Sequence, residues 1–291
     1  MIKQTEAVFA EARREFHAGL LNSGILSFNA AGIASNADGS NEASKEYARR
    51  IATALKVETI SERLAGQTSG GGFEQACANF VSATFPRLDM LRPGEWDIRK
   101  VSGRGSAAQA AIYEQYAHLV DLDLAVKANP QLQAVLGNGY AIAPDVVVSR
   151  APVDDAIINR DSLLIDDSVA LHTPIRSFNQ QRRILHGVVS CKWTIRSDRA
   201  QNSRSEALNL IRNRKGRLPH ITVVTGEPLP SRIASVALGT GDIDCVYHFA
   251  LPELVASVED VGHGDAIELL MMMIEGKRLK DIADLPLDLA V

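Results

Sequence analysis

Apolar positions recur at helical spacing over residues 5–20, 43–56, 72–84, 106–127 and 265–276, each run ending at Gly, Pro or Asn. These runs dominate the N-terminal half. Short β-branched runs follow at 143–149 (APDVVVS), 184–195, 221–225 (ITVVT) and 243–249 (IDCVYHF), with a helix predicted over 203–214 between the second and third. Strands separated by a helix predict an α/β sheet. The run ITVVT, apolar almost throughout, predicts a central strand covered on both faces. No internal repeat and no Pro/Gly/Ser linker divides the chain, so the pattern predicts a single domain over 1–291.

Composition narrows the class. With 46% apolar residues the chain can build a sizeable core, yet no apolar run approaches the roughly 20 residues a membrane span needs. Residues 1–16 mix Lys3, Glu6, Glu11, Arg13, Arg14 and Glu15 with apolar positions, the pattern of an amphipathic helix and not of a signal peptide. A cytoplasmic protein is expected. Cys77, Cys191 and Cys245 lie far apart with no CxxC pair, which argues against a disulfide framework or zinc ribbon and for reduced, buried thiols.

The net charge of −4 hides an uneven distribution. Residues 181–220 hold ten Lys or Arg against two acids, Asp198 and Glu206, whereas the other 251 residues carry 21 basic and 33 acidic side chains. The bulk repels a phosphate backbone and this segment attracts one, so a nucleic-acid face is expected there.

Candidate chemistry falls beside that segment. Pro144-Asp145 opens one predicted strand, and Ser190-Cys191-Lys192 lies on the next. Side chains alternate along a strand, so Ser190 and Lys192 share a face and Cys191 points to the other. If the strands are neighbours, a carboxylate that binds a hard cation meets a lysine that can orient or help deprotonate a water, which suits phosphodiester hydrolysis. Glu206, placed in the first turn of the 203–214 helix, offers a second carboxylate, and Glu74 on the 72–84 helix a third. Ser203-x-x-Glu206 also matches a helix capping box, a purely structural role. In Arg196-Ser197-Asp198-Arg199, arginine can donate to guanine O6 and N7 and aspartate can accept from cytosine N4, so this run can read G·C pairs.

With Pro144-Asp145, Ser190-Cys191-Lys192 and Glu206 in this order, the chain resembles the Type II restriction endonucleases of the PD-(D/E)xK family that cut around CCGG. The resemblance extends through SNADGSN (35–41), GQTSG (66–70), SCKWTIRSDRAQN (190–202), RNRKGRLPH (212–220), IDCVYHFAL (243–251) and GKRLKDI (276–282). It implies a restriction-endonuclease-like α/β fold, with a central mixed β-sheet flanked by helices and a catalytic, DNA-reading core at about 140–250. It implies Mg2+ as cofactor and double-stranded DNA as substrate, with Mg2+-assisted in-line attack of water at GCCGGC after the first G, leaving 5′ CCGG overhangs. A homotetramer engaging two sites is also implied. Asp145, the Cys191 backbone carbonyl and Glu206 would bind metal, Lys192 would contact water and the scissile phosphate, and Ser190 and Glu74 would complete the polar shell. Arg196, Asp198 and Arg199 would read the inner CCGG, Asp38 and Arg232 the outer G·C pair, and Gln67 the minor groove. Ser190 stands where most PD-(D/E)xK members carry their second acid, a departure typical of the CCGG-reading subgroup, in which the helix glutamate substitutes.

Two readings compete. Gly103-Arg104-Gly105-Ser106-Ala107-Ala108 has the GxGxxA spacing of a dinucleotide loop, but the helical pattern running on to about Lys127 leaves no second strand where that fold requires one. A sequence-specific DNA-binding protein without nuclease activity would keep the Arg196–Arg199 run but would not need Asp145, Lys192 and Glu206 together.

Overall fold

A computed structural model describes residues 6–56, 69–101, 107–136, 144–239 and 241–291. The N-terminal part is helical: α1 (Val8–Asn22), α2 (Glu42–Ala54) and α3 (Ser69–Thr84), followed by a 3-10 turn at Phe85–Leu88. Strand β1 (Trp96–Lys100) comes next, then α4 (Ala107–Ala110), a 3-10 turn (Glu114–Tyr116), α5 (Leu119–Ala128) and α6 (Pro130–Leu136). The rest alternates: β2 (Val146–Arg150), α7 (Asp155–Ile158), β3 (Ile184–Lys192), α8 (Ser197–Asn213), β4 (His220–Thr225), α9 (Pro230–Ala237) and β5 (Cys245–His248). It closes with α10 (Leu251–Val261), α11 (Gly264–Glu275), β6 (Leu279–Asp281), a 3-10 turn (Ile282–Asp284) and α12 (Leu285–Asp288).

The six strands form one mixed sheet in chain order, β1-β2-β3-β4-β5-β6. The two pairings among β1, β2 and β3 are antiparallel, and those from β3 through β6 are parallel, as strands joined by helical crossovers must be. The central strands bury nearly every residue, including Val146, Val147, Val148, Val188, Val189, Val223, Val224 and Val246. Burial on both faces explains their continuous β-branched runs. Ser190 faces α8 and Cys191 faces Cys77 of α3, so these helices cover opposite faces of the sheet. The observed architecture is the expected α/β sheet flanked by helices. All three cysteines are buried and unbridged, and among the described residues no helix is long and apolar enough to cross a membrane.

Two predicted boundaries move. The helix expected over 106–127 is broken where Tyr113 bridges to Arg183 and the Glu114 N–H donates to the Arg183 carbonyl (2.9 Å), and the Gln115 side chain then grips the Leu185 backbone, accepting from its N–H (2.9 Å) and donating to its carbonyl (2.7 Å). This bond falls beside the bulge at Val148/Ser149 in the β2–β3 pairing, where the ladder is interrupted. The helix expected from 203 begins instead at Ser197, with Arg196 as its N-cap. Ser203 is therefore a buried residue of the helix interior and not a cap, and Glu206 lies in the third turn. The dinucleotide reading also fails on topology, since β1 is followed in the sheet by an antiparallel neighbour.

Candidate active site

Asp145 immediately precedes β2, one residue beyond the last β2–β3 pair, Val146–Val189. The Val101 N–H fixes its backbone by donating to its carbonyl at 2.9 Å. Its side chain turns across to β3, where Oδ2 accepts from the Cys191 N–H at 2.7 Å and from Lys192 Nζ at 3.0 Å. The N–H and C=O of one strand residue project to the same side. The Cys191 carbonyl therefore also faces the Asp145 side, past the end of the ladder. On the adjoining face Ser190 Oγ donates to Glu206 Oε2 at 3.4 Å, carrying the second carboxylate from α8 over the end of β3.

Electrostatics within the cluster follow from burial and charge. Burial pulls the Lys192 ammonium toward deprotonation, but Asp145 and Glu206 outweigh it and hold its pKa above the usual lysine value. Lys192 is thus a fixed cation and hydrogen-bond donor. Burial pushes the Glu206 carboxyl up, Lys192 opposes the shift, and the like charge of Asp145 adds to it. The two carboxylates, with a backbone carbonyl beside them, form a donor set of hard oxygens. Among the described residues no group of three or more His, Cys, Asp or Glu side chains could enclose a metal. The residues present fit a cation held by one or two carboxylates that keeps its remaining positions for water and phosphate oxygens, as Mg2+ does.

Glu74 sits one strand away: it pairs with Lys100 at the end of β1 (2.9 Å), and Lys100 also donates to the Gly71 carbonyl at 2.7 Å. Lys100 opposes Val146 in the β1–β2 register, so this pair borders the same end of the sheet.

The proposed base-reading residues divide. Arg196 is exposed at the N-cap of α8 and lines an open cleft of about 420 Å³ with Ile195, Ser231, Arg232 and Ser235. Arg232 projects from α9 into an ion pair with Asp38, whose carboxylate is further held by the Ser40 hydroxyl (2.7 Å) and N–H (3.0 Å). The hydroxyl, the N–H and Arg232 together keep Asp38 ionised well below the usual carboxylate range. Asp198 and Arg199 lie in the first turn of α8, though their side chains fall outside what the structure describes, and Gln67 lies outside the described residues.

The basic segment does not act as one face, because β3 and α8 each carry the chain from one end of the sheet to the other. Lys192 and Arg196 reach the Asp145 end. Arg183 is at the opposite end, bonded to Ser149 Oγ (3.0 Å) and Glu95 (3.0 Å), and Arg204 donates to Asp242 (3.3 Å) and to the Ser235 and Leu238 carbonyls at the end of α9 (both 2.9 Å). At that far end Arg92 donates to the Val291 carbonyl (3.1 Å), Arg150 lies over Trp96, and His186 and His220 pack 5.0 Å apart.

Sequence reasoning missed Glu227. It is wholly buried just after β4, with Oε2 accepting from the Ile195 N–H at 2.8 Å and Oε1 from the Leu229 N–H at 3.2 Å. The preceding Gly226 packs so closely on Trp193 that a Cβ would lie 2.5 Å from the indole. The only signal in the sequence is a lone acid in the run Gly-Glu-Pro-Leu-Pro (226–230), which reads as an ordinary turn.

A mixed sheet whose end gathers carboxylates and a lysine beside an arginine-lined cleft is the architecture of the restriction endonucleases. The family model described as NgoMIV restriction enzyme matches residues 16–291. The chain is 54% identical over 284 residues, covering 98% of it and 99% of the relative, to the Type II restriction enzyme NgoMIV of Neisseria gonorrhoeae. It belongs to the NgoMIV restriction enzyme family, whose members are site-specific deoxyribonucleases.

Proposed function

We propose that this restriction endonuclease hydrolyses double-stranded DNA at GCCGGC after the first G, leaving 5′ CCGG overhangs, with Mg2+ as cofactor. The observation that carries the chemistry is the Lys192–Asp145 contact at 3.0 Å with Glu206 and the Cys191 carbonyl beside it, at the end of the sheet that also presents Arg196 and Arg232. Asp145, Glu206 and the Cys191 carbonyl hold the cation. When bound, Mg2+ supplies Lewis-acid stabilisation of the charge that builds on the phosphate oxygens. Lys192, kept protonated by its two carboxylate neighbours, donates to the scissile phosphate and orients the attacking water in line with the leaving 3′ oxygen. Ser190 steadies Glu206. Glu74 keeps Lys100 at the edge of the same site.

In this reading Arg196, Asp198 and Arg199 contact the inner CCGG, Asp38 and Arg232 the outer G·C pair, and Gln67 the minor groove. The shared cleft of Arg196 and Arg232 supports the first two assignments, since it puts inner and outer readers along one edge. We also propose a cytoplasmic homotetramer that engages two sites. Support comes from the excursion 151–183 at the far end of the sheet, which is pinned internally by buried Arg176 bonded twice to Asp155 (2.8 and 2.7 Å). That excursion exposes Ile157, Leu163 (79%), Leu164 and Phe178 (72%), large apolar side chains of the kind that a second copy of the chain would cover.

The test is digestion of a plasmid bearing two GCCGGC sites with and without Mg2+, beside an Asp145→Ala variant and a plasmid lacking the site. Discrete Mg2+-dependent fragments from the wild type alone are expected. Equal cutting of the siteless plasmid would overturn the assigned target.

A further inference from the structure

We infer that Glu227 is a positioning residue that holds Arg232 and the Arg196 segment in register with the catalytic strand and thereby sets discrimination at the outer base pair of the target. The inference rests on the roles proposed above for Asp38 and Arg232.

Residues 225–227 join the strand that carries Lys192 to the segments that carry Asp38, Arg196 and Arg232. The Thr225 hydroxyl donates to the Lys192 carbonyl at 2.8 Å and accepts from the Glu227 N–H at 3.1 Å. The Gly226 carbonyl accepts from the Asn36 amide at 2.8 Å, two residues before Asp38. Glu227 itself anchors the N–H of Ile195, next to Arg196, and the N–H of Leu229, the N-cap of the helix that carries Arg232. Its Oε2 also lies 3.9 Å from Arg232 Nη1. A buried carboxylate is costly unless paired and hydrogen-bonded. An apolar or amide side chain would fill the same space at less cost, so the acid points to a role beyond packing.

That role follows from what DNA demands of the Asp38–Arg232 pair. In the free protein these two groups satisfy one another. To read a G·C pair, the guanidinium must donate to guanine and the carboxylate must accept from cytosine, so their ion pair loosens. Glu227 is the next anion in reach, and it keeps the Arg232 charge paired and its fork aimed while Asp38 turns to the base. Ionisation of Glu227 strengthens this hold. Burial pushes its carboxyl up to about 7, against the opposing pull of the Ile195 and Leu229 N–H groups and of Arg232. The charged or titratable groups facing it are Arg232, Asp38 and His248; burial holds the His248 ring at about 4, hence neutral at working pH. Discrimination therefore rises with pH through neutrality.

The experiment compares wild type, Glu227→Gln and Glu227→Asp with Mg2+ on duplexes containing GCCGGC or ACCGGT, from pH 6 to 8.5. The readout is the ratio of the two cleavage rates at each pH, which cancels the pH dependence of hydrolysis itself. A folded Glu227→Gln protein is expected to lose about tenfold or more in that ratio and to give a flat profile, whereas Glu227→Asp keeps a pH-dependent ratio. A folded Glu227→Gln protein with the wild-type ratio at every pH overturns the inference and leaves the reading of Arg232 standing. If Glu227→Gln does not fold, the wild-type profile decides, since a ratio constant across this range also overturns the inference. Equal cutting of both duplexes by the wild type overturns the outer-pair reading and the inference together.

Discussion

The two ends of the sheet are both rich in cations, and they treat them differently. At the end formed by the start of β2 and the close of β3 and β4, three cations meet carboxylates while Arg196 stands exposed beside them: Lys192 with Asp145, Lys100 with Glu74, Arg232 with Asp38. These pairs are half-buried and remain open to exchange one partner for a phosphate or a base. At the opposite end the arginines are spent on the scaffold, with Arg183 clamped on Ser149 and Glu95 and Arg92 on the Val291 carbonyl, while Arg92 and Arg217 repel one another. Positive charge alone therefore does not mark the DNA face.

The largest effect expected from breaking this contrast is at Asp145. Asp145→Ala removes the proposed metal oxygen and the partner of Lys192, and hydrolysis of the GCCGGC plasmid should fall by about a thousandfold or more, several kcal/mol of barrier. DNA binding in a gel-shift assay should persist. Next comes Arg199→Ala, which should cost roughly ten- to a hundredfold in specific cleavage, the equivalent of about 1 to 3 kcal/mol for one bidentate base contact. Its unfolding midpoint should match the wild type, and unchanged cutting by a folded variant removes Arg199 from the recognition set.

At the far end the expected effects fall on assembly and stability. Phe178→Asp should weaken self-association by about 1.5 to 3 kcal/mol per interface, the worth of one large apolar side chain, visible as smaller species in sedimentation velocity. The effect that shows only in acid is at His186. Burial depresses its ring to about 4, against the proton-stabilising bond to the Leu289 carbonyl. The unfolded chain then binds a proton that the folded one refuses between roughly pH 6.5 and 4. Stability from this group is present above that window and is lost as pH falls through it, by up to about 1.4 kcal/mol per pH unit. Thermal melts of His186→Gln should show a shallower decline over that interval, and an identical slope would remove His186 as the cause.

The central strands were legible because burial on both faces writes them as unbroken β-branched runs, and the Asp145–Lys192 contact was legible because strand alternation fixes which side chains can meet. Helix α8 was misread at its start. Ser197 to Glu206 is nearly all polar, so apolar periodicity begins only at Ala207, and Ser203 imitated a cap that Arg196 occupies. Strand β6 was invisible, being three residues with two charges that are strand only because β5 offers an edge. Glu227 was illegible for a different reason. Its importance lies in two backbone N–H groups brought from Ile195, 32 residues earlier, and from Leu229, and no local pattern reports such a partner.

The sheet grows in chain order, and this separates two events in the making of the molecule. The Lys192–Asp145 contact closes a span of 47 residues, whereas Arg232–Asp38 closes 194. The longer closure carries an extra loop entropy of about 1 kcal/mol, so on that ground the proposed hydrolytic pair is expected to assemble before the proposed outer-base pair. The same term predicts that, on warming or in dilute denaturant, the Asp38–Arg232 contact is released before the Asp145–Lys192 contact. A molecule caught in that state would hold the proposed hydrolytic pair without the proposed outer-base reader. Heat-stressed enzyme should thus lose fidelity before it loses rate.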